Sequence, residues 1–363
     1  MEKNAKIFVA GHRGLVGSAI LKNLKERGYT NFVCRTHKEL DLCDQLAVTR
    51  FFDEEKPEYV FLAAAFVGGI IANLTYRADF IYKNLQIQNN VIYNAYRTGV
   101  KKLLFLGSTC IYPREATQPM PEDCLLTSEL EYTNEPYALA KIAGLKMCES
   151  FSLQYGCNYI AVMPTNLYGP NDNFDLEKSH VLPALIRKMH LGKCLMKNDW
   201  KAIRADFNHY PVEGVNGKST EEEILAKLAK YGVLPASVTA NKVSVEIWGT
   251  GAPLREFLWS EDMADASVFV MENVDFSDLR GEQKEVRNCH INIGTGKELS
   301  IKDLVHLIAE KTGFEGDIVF NAGKPDGTMR KLTDPTKLHS LGWNHKIELP
   351  EGIQKMYDWY LSC

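Results

Sequence analysis

The sequence predicts an α/β chain: a Rossmann-type doubly wound parallel sheet joined to a smaller α/β substrate-binding domain. Three observations predict it. A short apolar run at residues 6–10 leads into Gly11-His12-Arg13-Gly14-Leu15-Val16-Gly17 and then into a helical stretch. Strand-like and helix-like stretches alternate as far as residue 163, with continuous apolar strands suited to burial on both faces. Past Gly169-Pro170 the pattern turns irregular, which places the second domain there. With 363 residues, 45% hydrophobic and 24% charged, the chain has material for two cores. The expected division is 1–166 with 256–295 for the first domain and 167–255 with 296–345 for the second. The latter includes an insertion at 199–241, and a C-terminal helix closes the chain at 346–363.

Taken in order, the first unit is strand, glycine loop, helix. GxxGxxG between a strand and a helix lets the backbone approach a pyrophosphate seated at the helix's positive end. The predicted helix runs over 18–27, and a second strand over 31–34 ends in Arg35-Thr36. An acid at that strand end would hold ribose hydroxyls, whereas an arginine suits a 2′-phosphate. Arg13 in the glycine loop can grip the same phosphate, so NADP is the expected cofactor. Asp41-Leu42, just beyond, would border the adenine.

Further strands are predicted at 59–64 and 102–107, separated by a helix over 79–97. The second of these ends in Gly107-Ser108-Thr109-Cys110, and ligands in such sheets bind at the carboxyl ends of strands. Next comes Tyr137-Ala-Leu-Ala-Lys141 on a predicted helix over 135–155, with Asn134-Glu135-Pro136 as its cap and first turn. Tyrosine and lysine four apart share one helix face. A nearby ammonium would lower the phenol from its ordinary value near ~10, and Ser108, Tyr137 and Lys141 then form a set able to bind and protonate a carbonyl oxygen. The helices over 79–97 and 135–155 carry apolar residues on more than one face, which predicts a homodimer interface. A strand over 159–163 leads to Pro164-Thr165-Asn166-Leu167-Tyr168-Gly169.

In the second domain His180 precedes a helix over 181–191 that carries Arg187 and Lys188. Residues 199–241 are polar and contain a capped helix near 220–230, with Ser219-Thr220 and Glu222-Glu223 suited to a capping box. The expectation is a surface excursion that a short linker could replace. A strand over 243–248, Arg255-Glu256-Phe257-Leu258, a helix over 260–271 and a turn at 323–327 follow, the turn with Arg330 and Lys331 beside it.

Composition excludes other classes. Net charge is −4, with no basic field for nucleic acid. The longest uncharged apolar run spans 14 residues, 59–72, too short to cross a membrane. Nine cysteines show no CxxC pair and no metal-ligand spacing with histidine, and a strand-like run begins almost at once at residue 6. These features predict a cytoplasmic protein with reduced thiols and no metal.

The stretches GHRGLVGSAI, FLGSTCIYP, NEPYALAKIAG, MPTNLYGPNDNF, SHVLPALIR, WGTG-PLREFL and KPDGT-RK together resemble the extended short-chain dehydrogenase/reductase family. Within it they resemble the branch that epimerises and reduces a GDP-4-keto-6-deoxy-D-mannose. The resemblance spans residues 6 to about 335, apart from the insertion. It implies ketone reduction by NADPH through Ser108, Tyr137 and Lys141, with Cys110 and His180 as base and acid of the epimerisation. It further implies cofactor contacts from Gly11, His12, Arg13, Gly14, Leu15, Val16, Gly17, Arg35, Asp41, Leu42, Ala63, Lys141, Pro164, Asn166, Leu167 and His180. Asn166, Lys188, Trp248, Arg255 and Lys324 would line the GDP-sugar site. Phe66 stands where that family pattern has a lysine before Val67-Gly68-Gly69.

The chemistry agrees with the resemblance. A ketone at C4 acidifies the hydrogens on C3 and C5, so one thiolate could serve both centres once a cation lowers cysteine from near ~8.5. Reprotonation from the opposite face needs a second acid such as His180. Of the alternatives, a 4,6-dehydratase would carry an acid pair where Thr109-Cys110 stands, and a 4-epimerase would retain NAD, against Arg35. A non-enzymatic NADP-binding protein would not need Tyr137, Lys141, Cys110 and His180 together.

Overall fold

The computed structural model describes every residue except 237–241, 283 and 325, so the end of the insertion and the centre of the 323–327 turn lie outside the described residues. The chain divides into two compact units. The first comprises Met1–Leu167, Glu256–Lys297 and Lys331–Ile347; the second comprises Tyr168–Arg255, Glu298–Arg330 and Glu348–Cys363. Residues 331–345, expected with the second domain, therefore belong to the first, and the C-terminal helix is part of the second.

The first unit is built on six parallel strands: β1 (Ile7–Ala10), β2 (Phe32–Val33), β3 (Tyr59–Leu62), β4 (Lys102–Leu106), β5 (Tyr159–Pro164) and a sixth at Ile291–Ile293. From one edge to the other their order is sixth, β5, β4, β3, β1, β2. Because β1 lies between β2 and β3, the winding reverses there, and a crevice opens beyond its carboxyl end. Side chains alternate across the pleat. Phe8, Ala10, Val60, Leu62, Leu103 and Phe105 enter one core; Ile7, Val9, Tyr59, Phe61, Leu104 and Leu106 enter the other. Two buried faces explain why these strands read as unbroken apolar runs.

Four helices matter to the site: α1 (Leu15–Glu26), α2 (Gln45–Glu55), α3 (Arg77–Arg97) and α4 (Glu135–Tyr155). The alanines and leucines of α4 favour helix, and it stops at Gly156, whose φ of 69° suits a residue without Cβ. Its start differs from expectation. Asn134 is the N-cap residue but makes no side-chain capping bond, and its buried Oδ1 has no partner among the described residues. Glu131 caps this stretch instead, accepting from the Thr133 and Asn134 N–H groups at 3.0 and 3.3 Å.

The second unit holds a three-stranded sheet, Asp317–Asn321 parallel to Ser244–Trp248 and Val233–Leu234 antiparallel to it. Helices Val181–Met196, Trp200–His209, Glu221–Lys230, Ile301–Thr312 and Leu349–Ser362 accompany it. A capping box forms as expected, and the pair that makes it is Thr220 with Glu223. The insertion is not a surface excursion. Ile203, Phe207, Val212, Ile224, Leu228 and Val233 are buried, and so is Asp206. Arg187, with no exposed surface, donates to Asp206 Oδ1 from Nε at 3.0 Å and from Nη2 at 2.8 Å. Tyr360 of the C-terminal helix donates to the other Asp206 oxygen. The inserted residues thus supply core and the counter-ion of a buried guanidinium. Among the described residues no helix is long and apolar enough to cross a membrane.

Candidate functional site

The glycine loop joins β1 to α1 by a backbone path that only glycine permits. Gly11 has φ of 85°, and a Cβ on it would sit 2.9 Å from Ala64 N and 3.0 Å from the Ala63 carbonyl carbon. A Cβ on Gly17 would lie 2.1 Å from the Gly11 oxygen. The helix therefore packs directly on the turn, which closes with a Gly14 N–H to Gly11 O bond of 3.0 Å. Gly14 is the N-cap and offers no side chain to the first-turn N–H groups. Those groups, with the positive end of α1, fit the pyrophosphate of a dinucleotide. His12 adds a buried Nδ1 without a partner among the described residues, and burial beside Arg13 pushes its pKa down. Leu15 and Val16 open the helix.

At the end of β2, Arg35 is not simply solvated: it pairs with Glu55 of α2 and donates to its neighbour's carbonyl, Cys34 O, at 3.0 Å. Arg35 and Arg13 are both among the charges that act on Glu39. The bond from the Thr36 N–H, foremost, and then these two charges lower the Glu39 carboxyl. Arginines in these two loops are of the type that suits a 2′-phosphate. Neither Glu39 nor Glu55 was visible as a partner in the sequence. Asp41 turns its carboxylate onto the Cys43 N–H at 2.9 Å, and Leu42 is buried beneath it. Ala63 continues β3, bonding Ala10 O at 3.1 Å.

Beyond β4, Gly107 packs so tightly on β5 that a Cβ would lie 2.2 Å from Met163 Sδ. Ser108 then caps a short 3₁₀ turn, Thr109–Ile111, its Oγ accepting from the Cys110 N–H at 3.3 Å. Cys110 is buried. Lys141 on α4 is buried as well: its Nζ donates to Leu106 O at 2.7 Å and lies 5.6 Å from the centre of the Tyr137 ring. The first unit thus brings Ser108, Cys110, Tyr137 and Lys141 to the carboxyl end of β4.

Their protonation differs from the expectation of an ammonium that lowers both acids. Burial raises the Tyr137 phenol, and the Cys110 charge raises it further. Burial also raises the Cys110 thiol, against Lys331 first, then the Ser108 hydrogen bond and Lys141. Lys141 itself is lowered by burial to about 8. Desolvation is the largest cause for all three groups because their neighbours exclude water from them. Tyr137 is accordingly a phenol at neutral pH, an acid in the protonated state.

Phe66 occupies its own niche in place of a lysine. Asn84 clasps its backbone from both sides at 2.9 Å, and its ring meets Phe80 at 4.9 Å. Phe80 in turn meets Tyr137 edge-on at 6.1 Å, so Phe66 buttresses the catalytic candidate through one ring. The Lys83 ammonium lies over Phe66 at 4.6 Å. Pro164 ends β5, and Leu167 follows Asn166, whose amide donates to Glu256 O at 2.8 Å.

The second unit carries the remaining candidates. His180 is the N-cap of the helix Val181–Met196. Lys188 on that helix is lowered to about 8 by burial, opposed by Glu246. Arg255 is lowered by burial and partly offset by Asp326. Trp248 is half exposed, with the Lys324 ammonium 5.2 Å from its ring centre. Asp326 also fixes the Gly249-Thr250 turn after Trp248 through the Thr250 N–H at 2.9 Å and hydroxyl at 2.7 Å. Two partly desolvated cations and an open indole face suit a nucleoside diphosphate. Among the described residues no group of three or more His, Cys, Asp or Glu side chains could hold a metal.

Comparison with known proteins follows the same lines. The profile described as the NAD dependent epimerase/dehydratase family matches residues 7–210 and 207–294. GDP-L-fucose synthase 1 of Arabidopsis thaliana is 52% identical over 361 residues, covering 99% of this chain and 94% of the relative. GDP-L-fucose synthase of Escherichia coli strain K12 is 47% identical, covering 98% of this chain and 97% of the relative. Among solved structures, a GDP-D-glycero-L-gluco-heptose synthase from Campylobacter jejuni in the presence of NADPH matches with a TM-score of 0.90 and 47% identity, over 99% of each chain.

Proposed function

The chain belongs to the NAD dependent epimerase/dehydratase family, and from that membership we propose that it converts GDP-4-keto-6-deoxy-D-mannose to GDP-L-fucose by 3,5-epimerisation and NADPH-dependent 4-keto reduction. It is an NADP-dependent oxidoreductase with epimerase activity. The observation that carries the reading is the meeting of Ser108, Cys110, Tyr137 and Lys141 at the end of β4, where a carbonyl-protonating set and a thiol stand together.

In that reaction NADPH supplies a hydride to C4. The chain's own groups do the rest. The Gly11–Gly17 loop and the first turn of α1 hold the pyrophosphate, and Arg13 and Arg35 hold the 2′-phosphate. Ser108 donates a hydrogen bond to the C4 oxygen, Tyr137 protonates it, and Lys141 supplies a proton-bearing neighbour to the phenol and binds the ribose. Cys110 is the base at C3 and C5, and His180 the acid that returns the proton on the other face. Asn166, Lys188, Trp248, Arg255 and Lys324 bind the GDP-sugar.

The exposed Tyr82, Tyr93, Tyr96, Leu139, Leu153 and Tyr155 on α3 and α4 support a homodimer formed through these helices. Nine free thiols support a reducing, cytoplasmic setting.

Turnover of GDP-4-keto-6-deoxy-mannose with NADPH in deuterated water tests the function. The nicotinamide band should decay, and the GDP-L-fucose formed should carry deuterium at C3 and C5. In Cys110→Ser the product should be an unlabelled GDP-6-deoxy sugar of D configuration, since a hydroxyl is too weakly acidic to supply the base. Equal labelling in both proteins would remove Cys110 as that base. The likeness to the heptose synthase favours a second reading, a GDP-keto-heptose as substrate. A higher kcat/KM on that sugar than on the 6-deoxy one would select it.

A further inference from the structure

We infer that Tyr112 is a positioning residue that acts through Cys110: its phenol, clasped by His290 and Asn292, fixes the turn that carries the thiol. This rests on the epimerase reading above. The turn Thr109–Ile111 is held at both ends. At its start Ser108 Oγ accepts from the Cys110 N–H at 3.3 Å, and Ser108 O accepts from the Ile111 N–H at 3.3 Å. At its end Tyr112 is the C-cap, its N–H reaching Thr109 O at 3.4 Å. These bonds are all longer than the usual range, so the turn needs a firmer anchor. The buried side chain of Tyr112 supplies it.

The sixth strand brings both partners to the phenol. Residues two apart share a strand face, so His290, just before the strand, and Asn292, within it, lie together, while Ile291 and Ile293 enter the core on the other side. The Tyr112 hydroxyl donates to Asn292 Oδ1, and His290 Nε2 lies 3.0 Å from the same hydroxyl oxygen. A hydroxyl has one proton to give. With that proton on Asn292, His290 Nε2 carries the ring proton and donates to the Tyr112 oxygen. Burial, then Lys337 and Lys146, push the His290 pKa far down, so the ring is neutral and has this single N–H. The Asn292 amide is locked in orientation, because Nδ2 donates to Met120 O at 3.0 Å and to Asp334 O at 3.2 Å. Glu122 Oε1 accepts from the Asn292 backbone N–H at 2.9 Å, and the His290 carbonyl accepts from Lys337 Nζ at 3.0 Å. Each partner of the phenol is itself fixed from a second direction.

Cys110 depends on this clasp more than the reducing set does. Ser108 leaves β4 beside Gly107, whose N–H bonds Val162 O of β5 at 2.8 Å. Tyr137 and Lys141 sit on α4, with Lys141 tied to Leu106 O. Cys110 hangs between Ser108 and Tyr112. A base abstracts a proton from carbon only when the two are aligned, and a shift of about 1 Å can cost roughly 10²-fold. Loosening the phenol should therefore slow proton abstraction at C3 and C5 and leave hydride transfer to C4 nearly intact.

The test is the partition of product in the full-length protein. Tyr112→Phe keeps the buried ring and removes only the hydroxyl. Turned over with GDP-4-keto-6-deoxy-mannose and NADPH in deuterated water, it should place roughly tenfold less deuterium at C3 and C5 than wild type. The share of D-configured product should rise to match, with NADPH consumption within about twofold of wild type. A general loss of stability lowers both steps together and would not move this ratio. His290→Leu, which has no N–H for the phenol oxygen, should move the partition the same way. His290→Gln, whose amide N–H can replace the ring's, should keep the wild-type partition. NADPH binding verifies the fold of each variant, and the two His290 variants decide if Tyr112→Phe fails to bind. A wild-type partition in Tyr112→Phe, or in His290→Leu where that one decides, overturns the inference. Iodoacetamide labelling of the peptide 103–114, which holds Cys110 and no other cysteine, separates this from failure of the epimerase reading. A wild type that incorporates no deuterium overturns that reading. In that event a labelling rate of Cys110 that differs between Tyr112→Phe and wild type supports the link between the two residues, and an unchanged rate overturns it.

Discussion

Arg187 and Asp206 form a buried ion pair that ties the helix Val181–Met196 to the helix Trp200–His209 of the insertion. Arg187 also donates to Phe174 O at 3.0 Å and Tyr210 O at 2.6 Å, so one guanidinium holds the segment before His180, the helix that bears Lys188, and the insertion. Removing one partner of such a pair strands a charge in the interior. Asp206→Ala should cost about 3–5 kcal/mol of stability, read from denaturant unfolding. Excision of 199–241 should abolish folding of this unit for the same reason. A variant within 1 kcal/mol of wild type, about the worth of an exposed pair, would mean water reaches Arg187.

Tyr137→Phe keeps the edge contact with Phe80 but has no proton to give. Reduction should fall by roughly 10²–10⁴, the range of a positioned acid. Affinity for NADPH, measured by fluorescence quenching, should change little. Near-normal reduction would show that another group protonates the C4 oxygen.

Arg35→Ala removes one of the two arginine charges that act on Glu39. NADPH binding should weaken by about tenfold or more while NADH binding barely changes, since only the former carries the 2′-phosphate. Equal losses would show that the Arg35–Glu55 pair merely supports the loop.

Lys188 offers a pH signature. Burial holds it at about 8, so between there and the ordinary lysine range the unliganded side chain is largely neutral. A diphosphate beside it favours the ammonium, and GDP binding near pH ~9 should take up protons. Calorimetry in buffers of different ionisation enthalpy measures the uptake, which should vanish in Lys188→Met and shrink below about pH 7. The stability sign follows from the same depressed value. The unfolded chain binds the extra proton, so wild type gains stability as pH rises from about 8 toward the ordinary lysine value. Uptake that persists in Lys188→Met would assign it to another group.

Local rules made much of the site legible. Gly11, Gly14 and Gly17 are set by a turn and a helix start within seven residues, and Tyr137 and Lys141 share a face because four residues make about one turn. Long-range pairings were not legible. Arg35–Glu55, Asn84–Phe66 and Arg187–Asp206 join residues 18 to 20 apart through folded geometry. The polar look of the insertion concealed Ile203, Phe207, Ile224 and Leu228, whose helical spacing marks buried stripes. The burial that raises Tyr137 and Cys110 was not legible, because sequence shows nearby charges but not how completely neighbours exclude water. Ile291–Ile293, only three residues long, is recognisable as a strand once β5 pairs with it.

The helix Leu349–Ser362 has a consequence for the order in which the protein is made. Its Tyr360 reaches Asp206, its Tyr357 lies 3.0 Å from His190 Nδ1, and its Gly352 packs so closely on Tyr168 that a Cβ would lie 2.0 Å from the hydroxyl. These contacts come from a helix far downstream of Arg187 and Asp206 in the sequence. During synthesis, Arg187, Asp206 and the apolar faces around them emerge long before their final partners leave the ribosome. The second unit consequently completes its fold only once the helix Leu349–Ser362 has emerged, and until then its half-built interior is the surface that chaperones and proteases meet.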